Sequence, residues 1–213
     1  MPTDNRRAFS RQTRLADDVK MGTMLAAEPQ AGEPKDPRTR ILAAAGRLFY
    51  TEGVRATGTE RIMAESGVAK ATFYRHFNSK DNLVLAYLDD RERQLWENLN
   101  TPQPPGDIFA ALQRLERSMN APGVIGCPFL RVASEFPDTA HPLHQRVIAQ
   151  KDEMAAFFSA LVKPLHKDHK TIATQLLALA DGCLSLRMVY GEGRRVALMK
   201  PAEALLGVRR PQP

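Results

Sequence analysis

The segment VAKATFYRHFNSK, residues 68–80, contains the strongest structural signal in this 213-residue chain. Its apolar aromatic residues Phe73 and Phe77 are four positions apart, so they share one face of a helix. The polar and basic residues between them fall largely on the opposite side. This division predicts a short helix from about residue 69 to residue 77 that is packed on one side and open on the other.

Two further helices are predicted just before this stretch. Asp36 and Pro37 favour a helix start, and apolar residues then recur at helical spacing as far as Gly53. The segment 57–60, Thr-Gly-Thr-Glu, has capping-box spacing and predicts a second helix, which Gly67 ends as a left-handed cap. Three short helices with a glycine turn before the last are typical of a helix-turn-helix, which places that last helix in the major groove of DNA.

The rest of the chain is also predicted to be helical. Ser79 is a candidate N-cap for a longer helix, and the prolines of segment 101–106 break the pattern. No strand-like alternation is convincing, so the sequence predicts an all-α protein with an N-terminal three-helix helix-turn-helix head and a C-terminal helical body. Further helices are expected at about 107–119, 127–136, 143–163, 169–190 and 196–206. The proposed division is a disordered extension at 1–35, a head at 36–82 and a body at 83–213.

Composition and charge agree with a cytoplasmic, nucleic-acid-binding protein. The net charge is +6, and residues 36–80 contain eight basic and four acidic side chains, whereas residues 81–100 contain two basic and five acidic ones. A basic module of this size is a candidate footprint for phosphate. No apolar run approaches the roughly 18 residues of a membrane span, and no stretch resembles a signal peptide. Two cysteines are too few for a disulfide framework.

The first 35 residues are polar, rich in charge and without sustained periodicity, which predicts disorder. An alternative is that they form a basic arm that reaches into a DNA minor groove. The side chains that would serve this role are Arg6, Arg7, Arg11 and Arg14.

Side chains on the open face of the predicted third helix suit DNA. Lysine and arginine neutralise phosphate or contact guanine, threonine can touch a thymine methyl, and tyrosine and histidine donate to phosphate oxygens. The residues concerned are Lys70, Thr72, Tyr74, Arg75 and His76, and Lys80 follows at the start of the next helix. By composition alone, a solvated helix face on an ordinary bundle explains them equally well.

The order of residues from Gly53 to Leu83 closely resembles the DNA-binding head of TetR-type repressors, above all in the aromatic-rich helix followed by Phe-Asn-Ser-Lys80. The resemblance implies a three-helix reader, a connecting fourth helix, and a body that binds an effector and dimerises. Carried over by position, the residues near base edges are Thr59, Arg61, Lys70, Thr72 and Arg75. Those matching the usual phosphate contacts are Tyr74, His76 and Lys80. Ala69 and Ala71 depart from the family pattern, so the operator cannot be borrowed from a relative.

The segment 126–136 resembles a part of some TetR-type bodies that lies near the effector cavity. We expect the effector to contact Cys127 and Arg131 of this segment, together with Phe109 and Leu112 of the predicted helix at about 107–119. A redox-responsive role for Cys127 requires an accessible thiol with a lowered pKa, and a small buried residue without chemistry is the alternative. Two histidine pairs, at 141/144 and 166/169, have metal-ligand spacing, but solvated or capping roles are the better interpretation. We expect no metal and no cofactor.

The functional hypothesis is a ligand-released repressor that binds a palindromic operator in double-stranded DNA as a homodimer. The last two helices are expected to form the dimer interface, although an internal core explains the same apolar residues. These residues are Leu176, Leu179, Ala180, Cys183, Leu186, Val196, Leu198, Leu205 and Leu206. An enzyme is not expected, because no GxSxG, HExxH, P-loop or dinucleotide glycine motif is present. The alternative is a helical protein–protein adaptor that retains a helix-turn-helix head.

Overall fold

The computed structural model describes residues 36–101 and 106–207, and within these ranges it contains nine α-helices and no β-strand. The head and its connection to the body comprise α1 Pro37–Glu52, α2 Thr59–Ser66, α3 Lys70–His76 and α4 Lys80–Asn100. The body continues with α5 Ile108–Met119, α6 Pro128–Glu135, α7 Pro142–Val162, α8 His169–Tyr190, the 3-10 turn Gly191–Gly193 and α9 Met199–Leu206. The all-α prediction is confirmed. The predicted disorder, or basic arm, of residues 1–35 lies outside the described residues.

Three helix ends in the head form as the sequence predicts. The Asp36 carboxylate accepts a hydrogen bond from the backbone N–H of Thr39 at 3.0 Å, which caps α1. Gly67 ends α2 in the left-handed conformation, with φ of 61°, which glycine adopts without a Cβ clash. Ser79 caps α4 by accepting from the N–H of Asn82 at 3.1 Å.

The predicted capping box at residues 57–60 is wrong. The N-cap of α2 is Gly58, and no side chain caps this helix. The hydroxyl of Thr57 is buried and donates to the carbonyl of Gly53 at 2.7 Å, so it is engaged by the preceding turn rather than by the helix. The last helix also begins later than predicted, at Met199.

The head has its own apolar core, which continues into the body. Aliphatic and aromatic side chains of α1 to α4 meet at its centre, where Ile41, Ile62, Phe73 and Leu83 are fully buried. The same cluster extends through Phe129 of α6 into α7. Burying a side chain of this size stabilises the fold by about 1.5–3 kcal/mol. Head and body therefore share a continuous apolar contact.

A second core fills the body between α4, α5, α7, α8 and α9. Several residues that were candidates for a dimer interface lie inside this core, which supports the internal-core alternative for them. These residues are Leu176, Ala180, Cys183, Val196, Leu198 and Leu206. The opposite side of α8 is open, and its exposed apolar residues include Leu186, Val189 and Tyr190.

The segment His169–Gly193 is long and apolar enough, by length and composition, to cross a membrane, which the sequence analysis did not anticipate. One side of this helix packs in the body. Asp181 pairs with Lys151 of α7 at 2.6 Å, and the buried Arg187 donates to the carbonyl of Val124 at 3.1 Å. The high mean hydropathy therefore comes from a helix with a core face and a second apolar face that is open in the single chain.

Candidate nucleic-acid interface and body cavity

The third helix stands on a hydrophobic base and turns its charged side outward. Phe73 is fully buried and contacts Phe77, whose ring centroid lies 6.4 Å away. Lys70 and Arg75 are exposed, and 42% of Tyr74 remains accessible. The division of faces predicted from the spacing of the two phenylalanines is therefore present. The side chains suited to DNA project from a rigid helix, as a groove-reading helix requires.

The other predicted DNA contacts surround this helix. Thr72 and His76 are half-buried on α3, Thr59 lies at the start of α2, and Lys80 begins α4. Burial is the main influence on Lys80 and lowers the pKa of its ammonium, against the opposing effects of Glu135 and Asp81. None of the eight predicted DNA-contact residues lies in the core, and all come from α2, α3 or the start of α4.

Arg61 already forms an ion pair within the head. Its guanidinium forms a two-point ion pair with Glu52 at the end of α1, with Nη2 at 2.8 Å from Oε1. A second ion pair joins Arg47 of α1 to Glu65 of α2 at 2.6 Å. Both pairs fix α2 against α1. A contact between Arg61 and DNA therefore requires an exchange of partners.

A mainly apolar cavity of about 90 Å³ lies in the body. Helices α4 to α8 contribute to its walls, together with the loop before α6. Its polar lining consists of Arg91, Ser118, Cys127, Gln150, Lys151 and Asp181. Its apolar lining includes Leu95, Leu115, Met119, Phe129, Met154 and Phe158. A concave, mainly apolar space with a few polar groups is the usual form of a small-molecule site.

Of the four predicted effector residues, Cys127 alone lines this cavity. Phe109 and Leu112 lie on the face of α5 that packs in the body core. Arg131 points toward the head, where its Nη1 donates to the backbone carbonyl of Tyr50 at 2.6 Å. The cavity is therefore lined by other residues of α5 and α6 than those predicted from the sequence.

The environment of Cys127 favours the structural alternative over a redox role. The residue is 4% exposed, and burial raises the pKa of its thiol, only partly opposed by Lys151, whose Nζ lies 3.8 Å from Sγ. Arg131, one helical turn further along the chain, donates to the backbone carbonyl of Tyr50 in the head. Burial also raises the pKa of Cys183. Protonated, enclosed thiols are poor nucleophiles.

All four histidines of the two pairs take part in hydrogen bonds. His141 Nδ1 accepts from the N–H of Leu143 at the start of α7. The ring nitrogens of the other three lie within 2.7 Å of oxygen partners. These contacts join His144 to the carbonyl of Phe136, His166 to that of Leu206, and His169 to the hydroxyl of Ser159. Among the described residues, no cluster of three or more potential ligands forms a metal site.

The polar residues that line the cavity from α4 and α7 were not among the predicted effector contacts. Gln150 lies between Val147 and Met154 on the buried stripe of α7, and Arg91 interrupts the buried stripe of α4 in the same way. A polar residue at an apolar position of a helical repeat was the available signal. Arg91 is 3% exposed, stacks on the rings of Tyr50 and Tyr87, and donates to Gln94 at 3.2 Å.

A second feature that the sequence did not reveal is the attachment of α6 to the head. The Glu135 carboxylate, at the end of α6, accepts from the backbone N–H groups of Val54 and Arg55 at 2.9 and 2.6 Å. At the other end, the Tyr50 hydroxyl accepts from the N–H of Ile125 and donates to the carbonyl of Gly126, both at 2.9 Å. Both ends of α6 are thus bound to the head.

The fold and the exposed third helix define the class: a helix-turn-helix protein with a helical body. Residues 41–87 match the family described as bacterial regulatory proteins, tetR family. A TetR-family transcriptional regulator from Streptomyces coelicolor is 31% identical, with a TM-score of 0.72 that covers 80% of this chain and 94% of that one. A TetR transcriptional regulator from Chloroflexus aurantiacus is 28% identical, with a TM-score of 0.64 over 80% of this chain and 91% of the other.

A shorter match joins the chain to an HTH-type transcriptional repressor of Mycobacterium tuberculosis, 36% identical over 103 residues. This match covers 48% of the chain and 55% of the relative, so it spans about half of each protein. Together, the sequence and structural likenesses identify the chain as a member of the TetR family. The resemblance inferred from the order of residues in the head is confirmed.

Proposed function

We propose that this protein is a DNA-binding transcriptional regulator whose α3 enters the major groove. The observation that carries the proposal is the outward projection of Lys70, Tyr74 and Arg75 from a helix whose other face, at Phe73, is fully buried. In this arrangement Lys70, Thr72 and Arg75 contact base edges, together with Thr59 and with Arg61 once it leaves Glu52. Tyr74, His76 and Lys80 hold phosphates and fix the position of the helix.

Two heads are needed to read an operator of useful length, because one short helix covers only a few base pairs. Two symmetric heads about 34–36 Å apart read a palindrome over successive turns of the groove. The open apolar face of α8, with Val189 at 73% and Tyr190 at 49% exposure, is the surface we propose for the homodimer. Large apolar side chains grouped on one helix face favour a covered interface.

The proposed effector site is the cavity in the body, and the proposed link to DNA is α6. Gly126, Cys127 and Phe129 line the cavity at one end of this helix. At its other end Glu135 holds the head. An eight-residue helix is about 12 Å long, so α6 directly connects the cavity to the head. An effector that displaces the cavity end therefore alters the position of the head.

The mode of regulation follows from this coupling. An effector shifts the equilibrium only through its different affinity for the DNA-bound and released arrangements, and 1–3 kcal/mol is a typical coupling. We propose repression in the cytoplasm, with release from a palindromic operator when the effector binds. No turnover is part of this function.

The experiment that tests DNA binding starts with selection of bound fragments from genomic DNA. A palindromic consensus would support the proposal, and small molecules that release the protein would identify effectors. The variant Tyr74→Phe with Lys80→Ala should then weaken gel-shift affinity, because two phosphate contacts are lost. The control Lys167→Ala removes an exposed charge from the body, outside the proposed dimer surface, and should leave affinity unchanged. Unchanged affinity in the first variant would refute these contacts, and failure to select any DNA would favour the protein–protein adaptor.

A further inference from the structure

The cavity in the body contains a buried polar atom without a partner. Gln150 is 3% exposed and lines the cavity from α7, and its side-chain oxygen Oε1 is buried without a hydrogen bond. Buried polar groups in folded proteins are nearly always satisfied, so an exception calls for an explanation. An amide oxygen can only accept, and its missing partner is therefore a hydrogen-bond donor.

The charges around the cavity disfavour a charged ligand. Lys151 Nζ and Asp181 Oδ1 are 2.6 Å apart and neutralise one another. The Arg91 guanidinium stacks on two tyrosine rings and donates to Gln94. A cationic ligand would meet the positive charge of Arg91 in a mainly apolar space, and an anion without a hydroxyl or amide group would offer no donor to Gln150 Oε1. A neutral molecule with a hydroxyl group fits both conditions.

The size and lining of the cavity limit the size and the chemical type of the ligand. An engineered apolar cavity of about 150 Å³ binds benzene, so about 90 Å³ suits at most one ring after a small adjustment of the walls. Met119 and Met154 line the cavity, and their unbranched, flexible side chains can make this adjustment. Phe129 and Phe158 offer aromatic surfaces to a ring.

We propose that the cavity binds a small neutral aromatic alcohol of the phenol class, whose hydroxyl donates to Gln150 Oε1. The identification of this cavity as the effector site rests on the proposed function, but the binding itself does not depend on DNA. Gln150 thus determines specificity by favouring a hydroxylated ring over an unsubstituted or methylated one.

The test is calorimetric titration of the full chain, without DNA, with phenol and with toluene, which has similar size and no donor. We expect wild type to bind phenol, and Gln150→Leu to lower the ratio of phenol to toluene affinity by about tenfold, as loss of one hydrogen bond of about 1.4 kcal/mol does. Gln145→Leu is the matched control: the same substitution on the same helix, at an exposed residue outside the cavity. It should leave the ratio unchanged.

Gln150→Leu also removes the unsatisfied buried atom Oε1. Without ligand, the variant should therefore unfold at the same temperature as wild type or at a higher one. If it does not fold, Gln150→Met supplies the same loss of acceptor with a more adaptable side chain. No binding of phenol to wild type, or an equal ratio in wild type and variant, would overturn the proposal. Either result leaves DNA binding intact in a gel shift, whereas phenol binding without DNA binding would refute the proposed function alone.

Discussion

The Oε1 atom of Glu135 lies 2.9 Å from the backbone nitrogen of Val54, and this contact joins the body to the head. Its second oxygen accepts from Arg55, whose guanidinium also lies over the ring of Phe136 at 4.9 Å. The turn between α1 and α2 is therefore held by the end of a helix that begins at the cavity. In the proposed function, this turn is where a change in the cavity would reach α3.

Replacement of Glu135 by alanine should weaken that link. The variant removes the acceptor of two backbone N–H groups, one of them partly buried, and we expect a loss of about 1 kcal/mol in the free energy of unfolding. The effector should also release less of the variant from DNA, because α6 no longer connects the cavity to the turn between α1 and α2. Chemical denaturation and anisotropy titrations measure the two effects. Glu135→Gln keeps a neutral acceptor and should retain most of the coupling; full coupling in Glu135→Ala would contradict the route through α6.

Phe73→Ala should destabilise the head severely. The side chain is fully buried, and removal of a buried phenylalanine costs about 3–5 kcal/mol through lost burial and the cavity left behind. Tyr74→Ala is the adjacent control, since Tyr74 is 42% exposed and its loss should change stability little. Urea unfolding followed by circular dichroism gives both values. A smaller effect at Phe73 than at Tyr74 would mean that α3 is turned the other way.

The open face of α8 gives a prediction for the oligomeric state. Val189→Glu places a charge on a residue that is 73% exposed in the single chain, so the fold should be kept while an apolar interface is disrupted. Sedimentation at micromolar concentration should show a dimer for wild type and a monomer for the variant. Arg117→Glu, at an exposed residue of α5, is the control for added charge. A dimer in the Val189 variant would place the interface elsewhere.

The two thiols should react slowly in the native protein. Burial raises the pKa of both Cys127 and Cys183, so the protonated form persists to higher pH than in the unfolded chain. Their contribution to stability is complete below the ordinary thiol pKa, near 8.5, and is lost as pH rises through the raised value. Iodoacetamide at pH 8 should modify the native chain much more slowly than the urea-unfolded one. Fast native alkylation of Cys127 would restore the redox alternative.

Local signals in the sequence predicted most of the fold but not the contacts between head and body. Asp36, Gly67 and Ser79 fix helix ends through interactions with near neighbours, so short-range spacing was sufficient. The capping role predicted for Thr57 was wrong, because its hydroxyl bonds to the preceding turn, at the carbonyl of Gly53, instead of to the start of α2. The Glu135 contact joins residues about 80 positions apart, which no periodic pattern encodes.

Of the two candidate sites, the face of α3 follows from local sequence spacing, whereas the cavity depends on long-range contacts. The exposed face of α3 follows from the positions of Phe73 and Phe77 on a single helix. The cavity arises where five helices meet, so Phe109 and Leu112 could not be told apart from true lining residues by periodicity. Gln150 carried a signal, since a glutamine on a buried stripe is unusual.

The role of α3 in reading DNA can be tested through the salt dependence of binding to the selected operator. Fluorescence anisotropy would be measured for wild type and for the double variant Lys70→Ala with Arg75→Ala. We expect the double variant to lose at least tenfold in affinity and discrimination at the bases it contacts, because a good base contact contributes about 1–3 kcal/mol. Arg117→Ala, which removes an exposed charge from the body, should behave as wild type. Equal affinity, specificity and salt slope in the double variant and in wild type would contradict the claim that α3 reads DNA.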